Sequence, residues 1–371
     1  MKLVCSKTLL VEGLNIVSKA VATRPSMPIL ECCLLTADED GNLKLMANDM
    51  EMVIQTGNIE SEVAQAGSVA LDLKVFSDII RRMPGSHVEI SADEKYLTVL
   101  KSGKSEFKIL GMNPDEYPAL PDVMKNQSYK IPAADLRNMI RQTVFSVSQD
   151  NTRPVLCGQL IEIGGDVVKI IAVDGFRIAM REGVLENEGQ MDTKVIVPGK
   201  AMSEISKILP TDGDAVVTFY VTDKHILFDL GNCIVVSRLL EGEFVNYDNM
   251  FTNETSTLIT AVRTDFMESI DRATLISKDS KKSPVKLKVA DSSIAISSNT
   301  EMGASYEEIT VMQDGIDLEI AFNPRYLVDV MKVLESEKIT ISFTSSLSPC
   351  IIRVEGSEDY KYLVLPLRLR G

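Results

Sequence analysis

Histidine and paired cysteine are nearly missing from this sequence. The two histidines, His87 and His225, are far apart, and the six cysteines (Cys5, Cys32, Cys33, Cys157, Cys233, Cys350) contain no C-x-x-C pair. That argues against a zinc site, which needs clustered thiolate or imidazole ligands, and against a disulfide framework. The thiols are expected to be buried small hydrophobes. H-E-x-x-H, G-x-S-x-G and G-x-G-x-x-G do not occur. A Ser-His or Cys-His nucleophile would therefore have to rest on His87 or His225, which fall in loop or strand patterns. Gly103-Lys104-Ser105 has the end of a P-loop, but Thr98 stands where its first glycine should be, and the run continues as a strand. Asp212 and Asp214 share a turn and read as solvated carboxylates. No cofactor or catalytic residue is expected.

No stretch of 18 apolar residues occurs, so no membrane span and no membrane partner are expected. The residues from Met1 to Val11 lack the apolar core of a signal peptide, which points to the cytoplasm. Basic residues are in the minority, with 39 Lys and Arg against 53 Asp and Glu, a formal charge of −14. Taken over the whole chain this disfavours nucleic acid, because phosphate contact needs a basic surface. The placement of the cations decides the matter.

What the sequence does have is length and repetition. Its 371 residues predict two or three domains. One order of elements recurs three times at a spacing of roughly 125 to 130 residues. A short strand and an amphipathic helix open each repeat, over Lys2 to Ala20, Tyr129 to Val147 and Leu258 to Ser277. Alternating strands follow, such as Ile29 to Leu35, Gln159 to Ile163 and Val285 to Val289. A strand then runs into a second helix over 68–84, 194–210 and 318–335, and more strand pattern closes the repeat. Helices on antiparallel strands give an α+β fold with domains 1–125, 126–252 and 253–371, divided at polar, turn-rich segments.

The helical stretches hold thirteen basic and eight acidic residues, leaving about +5 there and about −19 elsewhere. Their cations include Lys74, Arg81, Arg82, Arg137, Arg141, Lys200 and Lys207. Solvated helix faces would account for any one of them. The set as a whole suits a mildly basic helical surface that holds phosphates without reading bases, on a body that repels DNA elsewhere.

Arg24-Pro25-Ser26-Met27-Pro28-Ile29-Leu30 resembles a segment of the bacterial beta sliding clamps, the DNA polymerase III beta subunits. So do Asp49-Met50-Glu51-Met52, Ala172-Val173-Asp174-Gly175-Phe176-Arg177-Ile178, Val195-Ile196-Val197-Pro198 and Leu365-Pro366-Leu367-Arg368-Leu369, in the family's order. The resemblance implies three similar domains, a head-to-tail homodimer and a closed six-domain ring lined by twelve helices. Helices about 10 Å across would leave a hole of roughly 28 Å, wide enough for duplex DNA. Such a protein is a non-catalytic processivity factor. The implied partners are double-stranded DNA, a second copy, the polymerase III alpha subunit, the clamp loader delta subunit, and other polymerases and repair proteins carrying clamp-binding peptides. A clamp-like scaffold or enzyme that does not encircle DNA is the alternative.

The family pattern carries DNA contact to Arg24 and Gln149. Arg153-Pro154-Val155 replaces the family's nearby aromatic pair, and Arg153 is a further phosphate candidate. The peptide groove carries over to Leu156, Gly175, Phe176, Arg177, Ile178, Val245, Asn249, Met250, Leu363, Val364, Leu365, Pro366, Leu367 and Arg368. Pro366 implies that the last strand ends at a sheet edge. The dimer interface carries over to Phe107 and Ile109 against Leu275 and Ile276, with Lys74 and Lys104 facing Glu301, Glu307 and Glu308. Glu106 stands where some members have a basic residue.

Overall fold

Alternation of apolar and polar residues sets the strands, and two short helices per repeat cover them. The computed structural model describes every residue except Thr23, Arg24, Ser26, 188–191, Thr252, Asn253, 277–282 and 369–371. Among the described residues every strand pair is antiparallel, in sheets of fourteen, nine and four strands. The six α-helices are α1 (Lys7–Val17), α2 (Leu73–Arg82), α3 (Ala133–Arg141), α4 (Gly199–Ile208), α5 (Arg263–Ala273) and α6 (Pro324–Val333). The strands Lys2–Ser6, Ser128–Pro132 and Thr257–Val262 lead directly into α1, α3 and α5. Gly67–Asp72 and Thr193–Pro198 lead into α2 and α4, while Leu318–Phe322 precedes α6. The three-fold order of elements read from the sequence is therefore the order of the fold.

Each helix buries one stripe. In α2 the buried residues are Leu73, Phe76 and Ile80, and Asp72 caps the helix by accepting from the Val75 amide at 2.8 Å. Phe76 is wholly buried, so Phe76→Ala would cost about 3–5 kcal/mol. The stripe of α1 (Leu10, Leu14, Val17) approaches its sheet so closely that a Cβ on Gly13 would lie 2.9 Å from Ile59 Cδ1. At α6, Asn323 accepts from the Arg325 amide at 3.1 Å and Pro324 fills the first helical position, where no amide partner is needed.

The chain forms two compact units, and neither is a whole number of repeats. One comprises Met1–Ala134, Glu186–Gly189 and Glu204–Leu239, the other Asp135–Leu185, Gln190–Ser203 and Leu240–Gly371. Sheet continuity is the cause. In the first unit the second repeat's strand Cys233–Arg238 pairs with the first repeat's Met52–Thr56, with Val235 opposite Ile54. In the second unit the third repeat's Tyr360–Val364 pairs with Arg177–Val184, with Tyr362 opposite Ala179. Backbone ladders thus run across neighbouring repeats as well as within each one.

Two strand expectations change. Pro28–Glu31 is a 3-10 turn, and the strand begins at Cys32. Ile29 and Leu30 are buried either way, so their apolar run could not distinguish the two states. Tyr360–Val364 is not an edge strand, since it pairs with Arg177–Val184 on one side and Cys350–Val354 on the other. It ends two residues before Pro366, whose missing amide therefore falls outside the ladder.

Candidate functional site

The second unit contains a buried apolar cluster beside a shaped turn. The turn is Asp174-Gly175-Phe176-Arg177. Asp174 Oδ1 accepts from the Phe176 amide at 2.9 Å and the Arg177 amide at 3.1 Å. Gly175 takes φ +91°, a conformation that favours glycine. Phe176 is held outward, 57% exposed, and stacks on Tyr326 with ring centroids 6.3 Å apart. Its carbonyl accepts from the Leu365 amide at 2.9 Å, and the Leu367 amide donates to the Ala321 carbonyl at 2.7 Å. Below the turn, Leu156, Ile178 and Leu363 share one cluster with Leu160, Ile351 and Tyr247, and Val245, Phe244 and Phe251 pack against it. Sequence positions scattered over 200 residues thus meet at one place.

Arg177 is not part of that cluster. Only 6% exposed, it donates to Asp174 at 2.9 Å, to Asp329 at 2.8 Å and to the Phe145 carbonyl at 2.7 Å, and it lies 4.5 Å from the centroid of the Tyr326 ring. Burial works against its charge, but Tyr362, Asp329 and Asp174 more than offset this and push its pKa above the ordinary value. At neutral pH the Tyr362 phenol is uncharged, because complete burial raises its own pKa well above the usual one. The two carboxylates therefore hold the guanidinium. Arg177 positions the turn and the Tyr326 face rather than presenting itself to a ligand.

Val364 is a second correction. Strand alternation turns Leu363 into the cluster with Leu156 and Ile178, and Val364 into the opposite core with Tyr362 and Phe343. Leu365 and Leu367 are exposed, Pro366 is half-buried and Arg368 is exposed. Asn249 and Met250 are exposed in the turn closed by the Met250 amide on the Tyr247 carbonyl. Tyr326, Phe244, Tyr247 and Ile351 were missed. Tyr326 sits in α6 beside the buried Leu327 and Val328, and Asp329 lies in the same helix. Their juxtaposition with Arg177 is tertiary.

The candidate DNA contacts fall on exposed positions and half-buried ones. Arg24 lies outside the described residues. Gln149 and Arg153 are exposed on a loop that Asp150 organises by accepting from the Thr152 amide at 3.0 Å and hydroxyl at 2.9 Å. Those bonds, with Arg153 nearby, hold the Asp150 carboxyl below its usual range. On the helices, Lys74, Arg82 and Lys200 are exposed, Arg137 is half-buried, and Arg81 donates to Asn15 at 2.6 Å. Lys207 pairs with Glu204 at 2.6 Å, and Arg141 pairs with Glu335. Pairs this exposed are worth at most about 1 kcal/mol, so a phosphate can compete for the cation. The six helices carry twelve basic and eight acidic side chains, net +4 against −14 for the chain, which leaves −18 elsewhere. α5 is the exception, with three acids to two bases.

Two of the sheet ends are strands paired on one side only among the described residues. Ser105–Leu110 closes the fourteen-stranded sheet of the first unit, and Gly303–Thr310 closes the four-stranded sheet of the second. Phe107 is exposed and Ile109 half-buried; Leu275 is 81% exposed and Ile276 half-buried. Glu301 and Lys104 are exposed. Glu307 and Glu308 cannot both face the same lysines, because consecutive residues project to opposite faces of a strand. Glu307 accepts from Arg272 at 2.8 and 3.0 Å, and Glu308 from the Tyr306 hydroxyl at 2.7 Å. The 65% exposed Tyr306 is an edge residue that the sequence reading overlooked.

Among the described residues no helix is long and apolar enough to cross a membrane, and no cluster of three metal-ligating side chains occurs. The cysteines in the structure are free, five of them buried and Cys157 half-buried.

Family models of the DNA polymerase III beta subunit match along the chain. The N-terminal domain matches residues 1–121, the central domain 130–246 and the C-terminal domain 249–368. The beta sliding clamp of Bacillus subtilis (strain 168) is 35% identical, covering 99% of this chain and all of that one. Among solved structures, a putative DNA polymerase III beta subunit from Eubacterium rectale is 37% identical with a TM-score of 0.94. The DNA polymerase sliding clamp of Bacillus subtilis is 34% identical with a TM-score of 0.95, and both alignments cover the whole of both chains. With three domain matches in sequence order and full-length relatives above 30% identity, this chain belongs to the beta sliding clamp family, the beta subunits of DNA polymerase III.

Proposed function

We propose that two copies of this chain close head to tail into a ring that encircles duplex DNA and tethers the replicative polymerase to it. The ring supplies no chemistry; it makes polymerisation processive by topology. The observation that carries the reading is the charge split, with net +4 on the helices and −18 on the rest. A weakly cationic wall holds phosphates without a deep minimum at any base pair, and an anionic exterior repels DNA that is not threaded. Arg24, Gln149 and Arg153 are proposed to touch DNA during loading. A groove over the cluster of Leu156, Ile178 and Leu363 is proposed to take short apolar peptides of the polymerase III alpha subunit, the clamp loader delta subunit and other polymerases and repair proteins. Exposed Phe176, Leu365 and Leu367 form its rim. The proposed domain limits are 1–125, 126–252 and 253–371, and the proposed location is the cytoplasm.

A nicked circular plasmid tests the ring. Protein placed on the circle by a clamp loader should stay bound in high salt, where phosphate contacts are screened, and leave when the circle is linearised. Release by salt from the intact circle would refute encirclement. Arg24→Ala with Gln149→Ala should slow loading and leave the solution mass unchanged.

A further inference from the structure

Arg81, Arg141 and Lys207, three helix cations considered for DNA contact, already hold partners. Arg81 of α2 donates to Asn15 Oδ1 of α1 at 2.6 Å. Lys207 pairs with Glu204, one turn back in α4, at 2.6 Å. Arg141, the last residue of α3, pairs with Glu335, two residues past the end of α6. The pattern extends to helix cations outside that set. Arg272 of α5 pairs with Glu307 at 2.8 Å, and Arg263 donates to the carbonyls of Met331 at 2.8 Å and Ser336 at 2.9 Å.

Folding gains little from the first three bonds. Asn15 is exposed, Glu335 is 71% exposed, and Glu204 is half-buried within its own helix. Pairs of this kind on a surface stabilise weakly. Their consequence for a polyanion is larger. The net +4 of the helices counts charges, whereas a phosphate meets only the donors that are not already engaged. To grip Arg81, Arg141 or Lys207, a phosphate must displace Asn15, Glu335 or Glu204. Once that phosphate moves on, the partner recovers its cation. Each contact is therefore an exchange of one bond for another, and the energy changes little from one phosphate to the next.

We infer that Asn15, Glu204 and Glu335 are positioning residues for sliding. They keep Arg81, Lys207 and Arg141 engaged, so that the helical wall passes phosphates without gripping them. This rests on the proposal that the helices surround DNA. It adds that specific partners make the wall weak, rather than a shortage of cations.

The three partners differ in a useful way. Glu204 and Glu335 cancel a charge as well as engaging it, whereas Asn15 engages Arg81 and cancels nothing. Losing Asn15 therefore frees a guanidinium at constant net charge.

Single-molecule tracking tests the inference, with the full chain loaded on duplex DNA tethered at both ends and followed over a range of salt. Glu204→Gln with Glu335→Gln should diffuse about two- to fivefold more slowly at low salt, the factor by which an exposed pair holds its cation. The deficit should shrink as salt rises, because the freed cations then act through phosphate contacts that counterions reverse. Asn15→Ala should slow diffusion in the same direction. Adding Arg141→Gln to Glu335→Gln should restore the rate, since the freed cation is gone. Merely structural pairs would shift the thermal melt and leave diffusion alone.

Unchanged diffusion in Glu335→Gln and in Asn15→Ala overturns the inference. Slowing that survives Arg141→Gln does the same. So does equal slowing by Glu319→Gln, which breaks the sheet pair with Lys286 at 2.6 Å and alters net charge by the same amount. Loss of the unsubstituted protein from an intact nicked circle in high salt would instead remove the ring reading on which the inference stands.

Discussion

The junction in the first unit and the one in the second are built alike and end differently. Both have an aspartate-capped turn, Asp49–Met52 and Asp174–Arg177, followed by a strand that pairs with the next repeat. In the first unit the apolar floor is covered by the chain itself. Tyr117 and Leu120 pack on Leu30, Met46 and Val53, and Val123 seats on Leu227 and Val236. In the second unit Phe176, Met250, Leu365 and Leu367 are left exposed around the corresponding floor. One scaffold thus serves as internal glue in one place and leaves apolar side chains exposed in the other. The difference lies in whether the connecting segment fills the space.

Substitutions can break that contrast, and Arg177→Ala should do most. Removing it takes the buried guanidinium from Asp174 and leaves Asp329 with only Arg325 at 3.7 Å, so denaturant unfolding should show a loss of about 3 kcal/mol. Peptide affinity should fall as the turn and Tyr326 lose their brace. Arg177→Lys should restore only part of both, since an ammonium cannot reproduce three directed bonds. A near-neutral Arg177→Ala would mean that the turn holds itself.

Val123→Ala in the closed junction comes next, with an expected loss of about 1–2 kcal/mol from two buried methyl groups. Peptide binding, measured by calorimetry, should not change. Phe176→Ala is its mirror image. Being exposed, it should leave stability within about 0.5 kcal/mol of the parent. It should nevertheless weaken a clamp-binding peptide roughly tenfold, or about 1.4 kcal/mol. If both variants affected only stability, the exposed rim around Phe176 would be no docking site.

The smallest expected effects have opposite signs. Met50 takes φ +73° where the second junction has Gly175 at +91°. Met50→Gly should therefore stabilise by up to about 1 kcal/mol through released backbone strain, and Gly175→Ala should destabilise by about as much. Thermal melts of the two variants side by side would show whether the turns carry equal strain.

Much of this was legible in the chain. The strand-to-helix passages, the hairpins and the order of three repeats follow from periodicity, because alternation and helical spacing are local properties. The landmark segments brought Leu156, Ile178, Val245 and Leu363 together in the reading, and in the fold they meet at one buried cluster. Where the reading failed, the cause was contact across distance. Arg177 looked like a ligand-facing cation until Asp329, 152 residues away, appeared as its partner. Val364 looked like groove lining until strand alternation turned it into the other core. Pro366 suggested an edge, but the strand had already ended.

The amino-acid order alone determined the kinds of element, their three-fold recurrence, the cationic bias of the helices and the absence of recognisable catalytic motifs, since each depends on neighbours within a turn or two. Only the tertiary structure decided which strands close the junctions, which arginine is spent on bracing and which edges remain open. Backbone ladders and buried ion pairs join residues that local pattern cannot associate, and desolvation makes their partner choice unforgiving.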